Sequence, residues 1–193
     1  HRFRSEPAIA EKAAAMAVEK AAIAAAARSF VPEHGSVLVD AGTSTLALAQ
    51  IFPERELTVF THSVSIALEL ATRRALQLHV IGGRLRTRTL ANVDHWALRQ
   101  LAELHVDVAF VGTNGFSVGR GLSTPDPAEA AVKHAICLAA EQTVVLADHT
   151  KLDQETAVRF AAIDEFDVLI SDGGLAESDG RALEEAGVEV VLA

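Results

Sequence analysis

The sequence contains one cysteine, Cys137, among 193 residues. That excludes a disulfide framework within the chain and any metal site built on paired cysteines, and it fits a reducing compartment. Cys137 lies inside the apolar helical run AAVKHAICLAA, where an unpaired cysteine reads as a small buried hydrophobe. Basic residues are also short, 17 against 26 acidic, for a net charge of −9. A chain this acidic has no general means of releasing counterions from nucleic-acid phosphates, which excludes it as a DNA reader on its own. The one local basic cluster, Arg84, Arg86 and Arg88, reads as a small-anion site or a subunit contact. No apolar run is long enough to span a membrane, and Glu11, Lys12, Glu19, Lys20 and Arg28 interrupt the alanine-rich opening. That opening is therefore neither signal peptide nor anchor, and the expected location is cytoplasmic. The histidines at 34, 62, 79, 95, 105, 134 and 149 are scattered outside any HExxH pattern, so no metal or other cofactor is expected. No GxSxG elbow and no phosphate-loop GK[ST] occur, which argues against a serine hydrolase and against nucleotide hydrolysis. Tyrosine is absent and tryptophan occurs once, which says little about function.

The length suits one α/β domain, and half of the residues are apolar, enough for a packed core. Residues 6–30 read as one alanine-rich helix with Ile9, Met16, Ile23 and Phe30 in a stripe, ending near Pro32. Short apolar runs then alternate with helical stretches. Strands are expected at 36–40, 57–61, 76–82, 106–112, 143–148, 166–172 and 188–193. Helices are expected at 44–51, 63–74, 93–104, 128–141 and 178–186. Strands that are apolar throughout and alternate with helices imply an α/β fold, a mostly parallel sheet with helices on both faces. Ligands of such sheets bind beyond the carboxyl ends of the strands. The loops after Asp40, Thr61, Ile81, Val111 and Ala147 should therefore line one site.

Those loops carry the unusual residues. In DAGTST (40–45), Asp40 ends a strand, Gly42 permits a turn, and Thr43, Ser44 and Thr45 open a helix. The unsatisfied N–H groups and the dipole of a helix N-terminus favour an anion, and three hydroxyls add donors; an ordinary N-cap accounts for the same residues. In THS (61–63), Thr61 or Ser63 can cap the next helix and His62 lies at the strand end, with capping and ligand contact both open. In GGRLRTR (82–88), Gly82 and Gly83 allow close backbone approach and Arg84 offers a bidentate cation, unless the loop is simply solvated. In GTNG (112–115), Gly112, Thr113 and Asn114 suit hydroxyl recognition or a plain turn. Asp126 and Glu129 sit at a helix start, where the dipole favours carboxylates anyway, and Lys133 is spaced for an i,i+4 pair with Glu129. In DHTK (148–151), Lys151 can swing a positive charge toward the site.

Taken in order, DAGTST, THSVSIA, IGGRLR, VDVAFVGTNG, GLSTPDPAEAAVK and LADHTK resemble the C-terminal sensor domain of the DeoR family of bacterial transcription regulators. The likeness runs from about Lys20 to the end and is greatest to actinobacterial members linked to fructose or related sugars. It implies a fold similar to ribose 5-phosphate isomerase. It implies a phosphorylated sugar as effector, a homodimer or homotetramer, and contact with operator DNA through an N-terminal winged helix-turn-helix absent from this chain. Residues 1–19 would then be a linker and N-terminal helix region, and 20–193 the effector-sensing domain. By motif, Gly42, Thr43, Ser44 and Thr45 would form the phosphate loop, and Asp40 would contact hydroxyls or hold that loop. Gly82, Gly83 and Arg84 would lie beside the ligand, with Gly112, Thr113, Asn114, Glu129 and Lys151 completing the pocket. Many members have Asn where this chain has His62.

The rival expectation is an active sugar-phosphate isomerase, which needs a base to move a proton between adjacent carbons. Isomerases of similar fold carry a DGAD-type acidic loop where this chain has GTNG, and Asn114 cannot ionise. A pocket that binds sugar phosphate without turning it over is the expectation, a regulator rather than an enzyme.

Overall fold

A computed structural model describes residues 9–193. Residues 1–8, the first part of the expected linker and N-terminal helix region, lie outside them. In chain order the elements are α1 (Ile9–Ala14), α2 (Ala17–Ala27), β1 (Gly35–Val39), α3 (Thr43–Gln50), β2 (Leu57–Thr61), α4 (Val64–Leu70) and β3 (Gln77–Val80). Then come β4 (Arg84–Arg86), β5 (Ala91–Val93), α5 (Asp94–Leu101), β6 (Val106–Gly112), β7 (Gly115–Ser117), β8 (Gly121–Thr124) and α6 (Pro127–Leu138). The chain finishes with β9 (Ala140–Leu146), β10 (Val158–Ala161), β11 (Val168–Ser171), α7 (Glu177–Glu185) and β12 (Glu189–Leu192).

Seven strands form one sheet in the order β12-β11-β9-β6-β1-β2-β3, and every pairing in it is parallel. All seven expected strands are present. They are apolar throughout because both faces are covered. Along β6, Val108 and Phe110 face one core while Ala109 and Val111 face the other, and β9 and β11 alternate in the same way. Ile23 of α2, Leu48 of α3 and Ile66 and Leu70 of α4 fill the first core. Ala97 and Leu101 of α5, Val132 and Ile136 of α6 and Leu183 of α7 fill the second. Each fully buried Leu, Ile or Val side chain contributes about 1.5–3 kcal/mol, so these two layers dominate the stability. Among the described residues no helix is long and apolar enough to cross a membrane.

Three features depart from the sequence reading. The single helix expected over 6–30 is two, because Met16 takes the left-handed conformation (φ 56°) and breaks the run. The helix expected to reach 141 ends at Leu138, and Ala140 and Gln142 instead pair with Val106 and Val108 of β6, so sheet formation overrides a helix-favouring AAEQ stretch. Five short strands were not anticipated: the β4–β5 hairpin and the antiparallel β10-β8-β7 sheet. In the latter, Gly121 turns the chain at φ +79°, and a side chain at Gly115 would place its Cβ 1.7 Å from the Gln154 carbonyl oxygen.

Candidate functional site

The strand order reverses between β1 and β6: the chain runs from β1 outward to β2 and β3 on one side, and β6, β9, β11 and β12 extend the other. At such a switch point the loops leaving adjacent strands diverge and open a crevice. Here that crevice is a cleft of about 690 Å³. Of the residues expected from sequence, Gly42, Thr43, Ser44, Gly112, Thr113, Asn114, Glu129 and Lys151 line it.

The floor is built on Asp40, which is fully buried. Its Oδ2 accepts the Gly112 N–H at 2.9 Å and a hydrogen bond from Lys133 Nζ, and its Oδ1 lies 2.8 Å from His62 Nε2. Lys133 also donates to the Gly112 carbonyl at 2.8 Å, and the other ring nitrogen of His62 faces the Asn92 carbonyl at 2.9 Å. One buried carboxylate thus ties β1, β6, α6 and the loop after β2 together beneath the cleft. Burial pushes the Asp40 carboxyl up, but the Lys133 ammonium and His62 outweigh it and hold the group below the usual carboxylate range. Lys133 is therefore not the i,i+4 partner of Glu129 that its spacing suggested.

The wall above is the start of α3. Its N-cap is Gly42, which offers no side chain to the first-turn amides. Thr45 is buried and donates its hydroxyl to the Gly42 carbonyl at 3.0 Å, so it braces the turn from behind. The hydroxyls therefore do not make an ordinary cap. Thr43 and Ser44 of the first turn line the cleft, and the first N–H groups of any helix lack partners within it.

Glu129 is held on the opposite wall. Asp126 caps α6 by accepting the Glu129 N–H at 2.9 Å. Thr89 donates to Glu129 Oε1, and Arg86 reaches Glu129 at 3.3 Å and Asp126 at 3.1 Å. On the GTNG loop, Thr124 donates to Asn114 Oδ1 at 2.9 Å, leaving the amide NH₂ uncommitted. The Thr113 hydroxyl sits 2.8 Å from the Gly115 carbonyl and 3.1 Å from that of Ser123, which fixes the loop. Asp148, Lys151 and Thr156 also line the cleft. Asp148 Oδ2 and Thr156 Oγ1 are buried without a hydrogen-bond partner, the condition expected of polar atoms that await a ligand or solvent.

The remaining expected residues are placed elsewhere. Asp40, Thr45 and His62 lie beneath the cleft. Thr61 donates to the Val39 carbonyl at 2.7 Å, and Ser63 caps α4. Gly82 and Gly83 pack against α5 and β5, where a Cβ on Gly83 would meet the Val93 carbonyl at 2.5 Å. Arg84 is exposed and pairs with Asp94 at 2.5 Å. These three do not line the cleft. With Arg86 also committed to carboxylates, at least two arginines of the basic cluster serve the chain's own acids.

Comparison with known proteins decides the relationship. The family model described as the DeoR C-terminal sensor domain matches residues 15–173. The chain belongs to the DeoR family. This sensor domain is 36% identical over 193 residues to the uncharacterized HTH-type transcriptional regulator YgbI of Escherichia coli, covering 100% of this chain and 75% of that protein. It is 36% identical over 173 residues to the HTH-type transcriptional regulator GlpR of Haloferax volcanii, covering 89% and 68%. It is 28% identical to the HTH-type transcriptional repressor GlcR of Bacillus subtilis over 90% of this chain and 67% of that one. In fold it is similar to ribose 5-phosphate isomerase A from Neisseria gonorrhoeae, with a TM-score of 0.52 at 14% identity, covering 70% of this chain and 53% of that one. The isomerase from Methanocaldococcus jannaschii matches with a TM-score of 0.52 at 17% identity, over 72% and 55%. The match spans about half of each isomerase and concerns the fold alone. The sensor domain is thus the kind found in transcription regulators and repressors.

Several site residues of the sensor domain escaped sequence reasoning, Thr89, Thr156, Lys133 and Lys20 among them. Lys133 is 93 residues from its carboxylate partner, too far for any spacing rule to connect them. Lys20 looked like one more surface charge on an alanine-rich helix, yet it is buried and lines the cleft with Glu11, Lys12, Ala15 and Met16. The expected boundary between residues 19 and 20 falls inside α2.

Proposed function

We propose that this domain senses a small phosphorylated sugar in the cleft at the β1/β6 switch point. The observation that carries the reading is the start of α3: a helix N-terminus with no side-chain cap, opening into a cleft that also holds Lys20 and Lys151. A phosphate there gains backbone N–H donors, the helix dipole and charge-assisted bonds together. Thr43 and Ser44 add hydroxyl donors. The Asn114 amide and Glu129 suit the hydroxyls of a sugar, so the phosphate supplies affinity and these groups supply selectivity.

Binding rather than turnover fits two of the acids at the cleft. Asp40 is committed to Lys133, His62 and Gly112, and Glu129 to Thr89 and Arg86, so neither stands ready as the base that aldose–ketose isomerisation requires. In a full-length regulator, operator DNA would be held by a helix-turn-helix like those named in the relatives, with this domain shifting its affinity. The effector moves that equilibrium only by the difference in its affinity for two arrangements, a coupling of about 1–3 kcal/mol. A homodimer or homotetramer would supply the two arrangements.

The test is a thermal-shift screen against sugar phosphates, with free sugars and inorganic phosphate as controls. A ligand at about a hundred times its dissociation constant stabilises by roughly 2.7 kcal/mol, a clear shift. Stabilisation by one phosphorylated sugar and not by its free form supports the reading. Stabilisation by free sugars alone contradicts it.

A further inference from the structure

Lys20 is nearly fully buried, yet it has no carboxylate hydrogen-bonded to it. Its ammonium donates instead to two backbone carbonyls at the end of the preceding helix, Lys12 O and, at 2.6 Å, Ala15 O. Carbonyls at a helix C-terminus have no partners within the helix, so Lys20 acts as the C-terminal cap of α1. It does so across the left-handed Met16 that separates α1 from α2. The same ammonium lies within electrostatic reach of Asp148 and Lys151, and burial pushes its pKa down while Asp148 opposes that shift. Asp148 is fully buried and its Oδ2 has no partner. Lys20 therefore holds the α1 carbonyls while a carboxylate within its electrostatic reach keeps one oxygen without a partner.

We propose that Lys20 is an effector-reading residue that exchanges its α1 carbonyls for the ligand's anionic group and Asp148, and so uncaps α1 when the cleft is filled. The inference rests on the sugar-phosphate reading of the cleft. α1 and α2 both pack against α3, so the anion held at the α3 N-terminus sits beside the wall that carries Lys20. An anion brought there offers Lys20 an oppositely charged acceptor, adding a Coulombic attraction that a neutral carbonyl does not supply. Releasing Lys12 O and Ala15 O leaves a six-residue helix without its cap. A helix that short is marginal on its own, so without the Lys20 bonds it is held by its packing on α3 alone and loosens. Occupancy of the cleft is thereby converted into a change at the N-terminal end of the domain. No step requires movement of the sheet.

The experiment uses a fluorophore attached at Ala13→Cys, an exposed position of α1. Cys137 stays unlabelled because burial pushes its thiol up to about 12. Fluorescence anisotropy is read while inorganic phosphate or ribose 5-phosphate is titrated, and calorimetry reports binding of the same probes. The expected result is binding with a saturable fall in anisotropy. Lys20→Met should show low anisotropy without probe, no further change with it, and about tenfold weaker binding. Lys20→Arg should restore much of the affinity. Asp148→Asn keeps the bond to Thr150 but removes the charge, and should reduce the fall in anisotropy, which covers the case where Lys20→Met does not fold. If the probes bind and anisotropy is unchanged or rises, the uncapping inference is wrong while the reading of the cleft stands. If neither probe binds, both fall together.

Discussion

Replacing Lys133 by Met should be among the most damaging single substitutions in the domain. Met fills similar space but leaves the fully buried Asp40 without its cation, holding only the Gly112 N–H at 2.9 Å and His62 at 2.8 Å. Breaking a buried pair by removing one partner costs about 3–5 kcal/mol, and the surviving contacts to Asp40 place this case at about 3. For a chain of this size each kcal/mol moves Tm by about 2–4 °C, so a loss of about 6–12 °C is expected at pH 7. The pH dependence carries a second signature. In the wild type the folded-state pKa of Asp40 is depressed, so the pair's stabilisation is present above the ordinary Asp value and is lost as pH falls through the folded value. In Lys133→Met, burial is no longer outweighed and Asp40 moves up, so taking a proton relieves the variant. The gap between variant and wild type should narrow as pH falls from 7 toward 4. Asp40→Asn added to Lys133→Met should recover most of the loss, because the uncompensated charge is gone. Thermal melts followed by circular dichroism read all three proteins. A loss under about 2 °C, or a gap independent of pH, would refute the claim that this pair organises the floor of the cleft.

Thr43→Glu puts like charge at the α3 N-terminus and should abolish binding of phosphorylated ligands, while Lys151→Ala should weaken phosphorylated sugars far more than free ones; calorimetry checks both. Gly115→Ala should destabilise by about 3 kcal/mol in urea melts, since its Cβ would sit 1.7 Å from the Gln154 carbonyl oxygen and backbone must shift. Cys137 should resist a thiol reagent at pH 8 until the chain is unfolded, because burial pushes its pKa to about 12.

The main sheet was readable in advance because its strands are buried on both faces and so lack polar interruptions, as VDVAFVG shows. The β4–β5 hairpin was not, since RLR and ANV are three-residue strands, too short for alternation to register. The break at Met16 was hidden because alanine-rich sequence favours helix on both sides of it, and the Lys20 cap that satisfies the break is a side chain reaching back by five and eight residues. Loop residues at strand ends were found because a parallel sheet sends its ligands there, and Thr43, Ser44, Thr113 and Asn114 do meet in one cleft. The third loop misled: its glycines allow close packing on α5 and β5 rather than on the cleft, and Arg84 finds Asp94 ten residues on. Buried networks that join residues 40, 62 and 133 depend on topology, which no local spacing encodes.

The most direct test of the central claim is a crystal structure of the domain with whichever sugar phosphate stabilises it in the thermal screen. The account predicts the phosphate at the start of α3, about 3 Å from the backbone nitrogens of Thr43 and Ser44, with the sugar extending toward Asn114 and Glu129. A phosphate bound away from that helix terminus, at the Arg84 loop or outside the cleft, would contradict it.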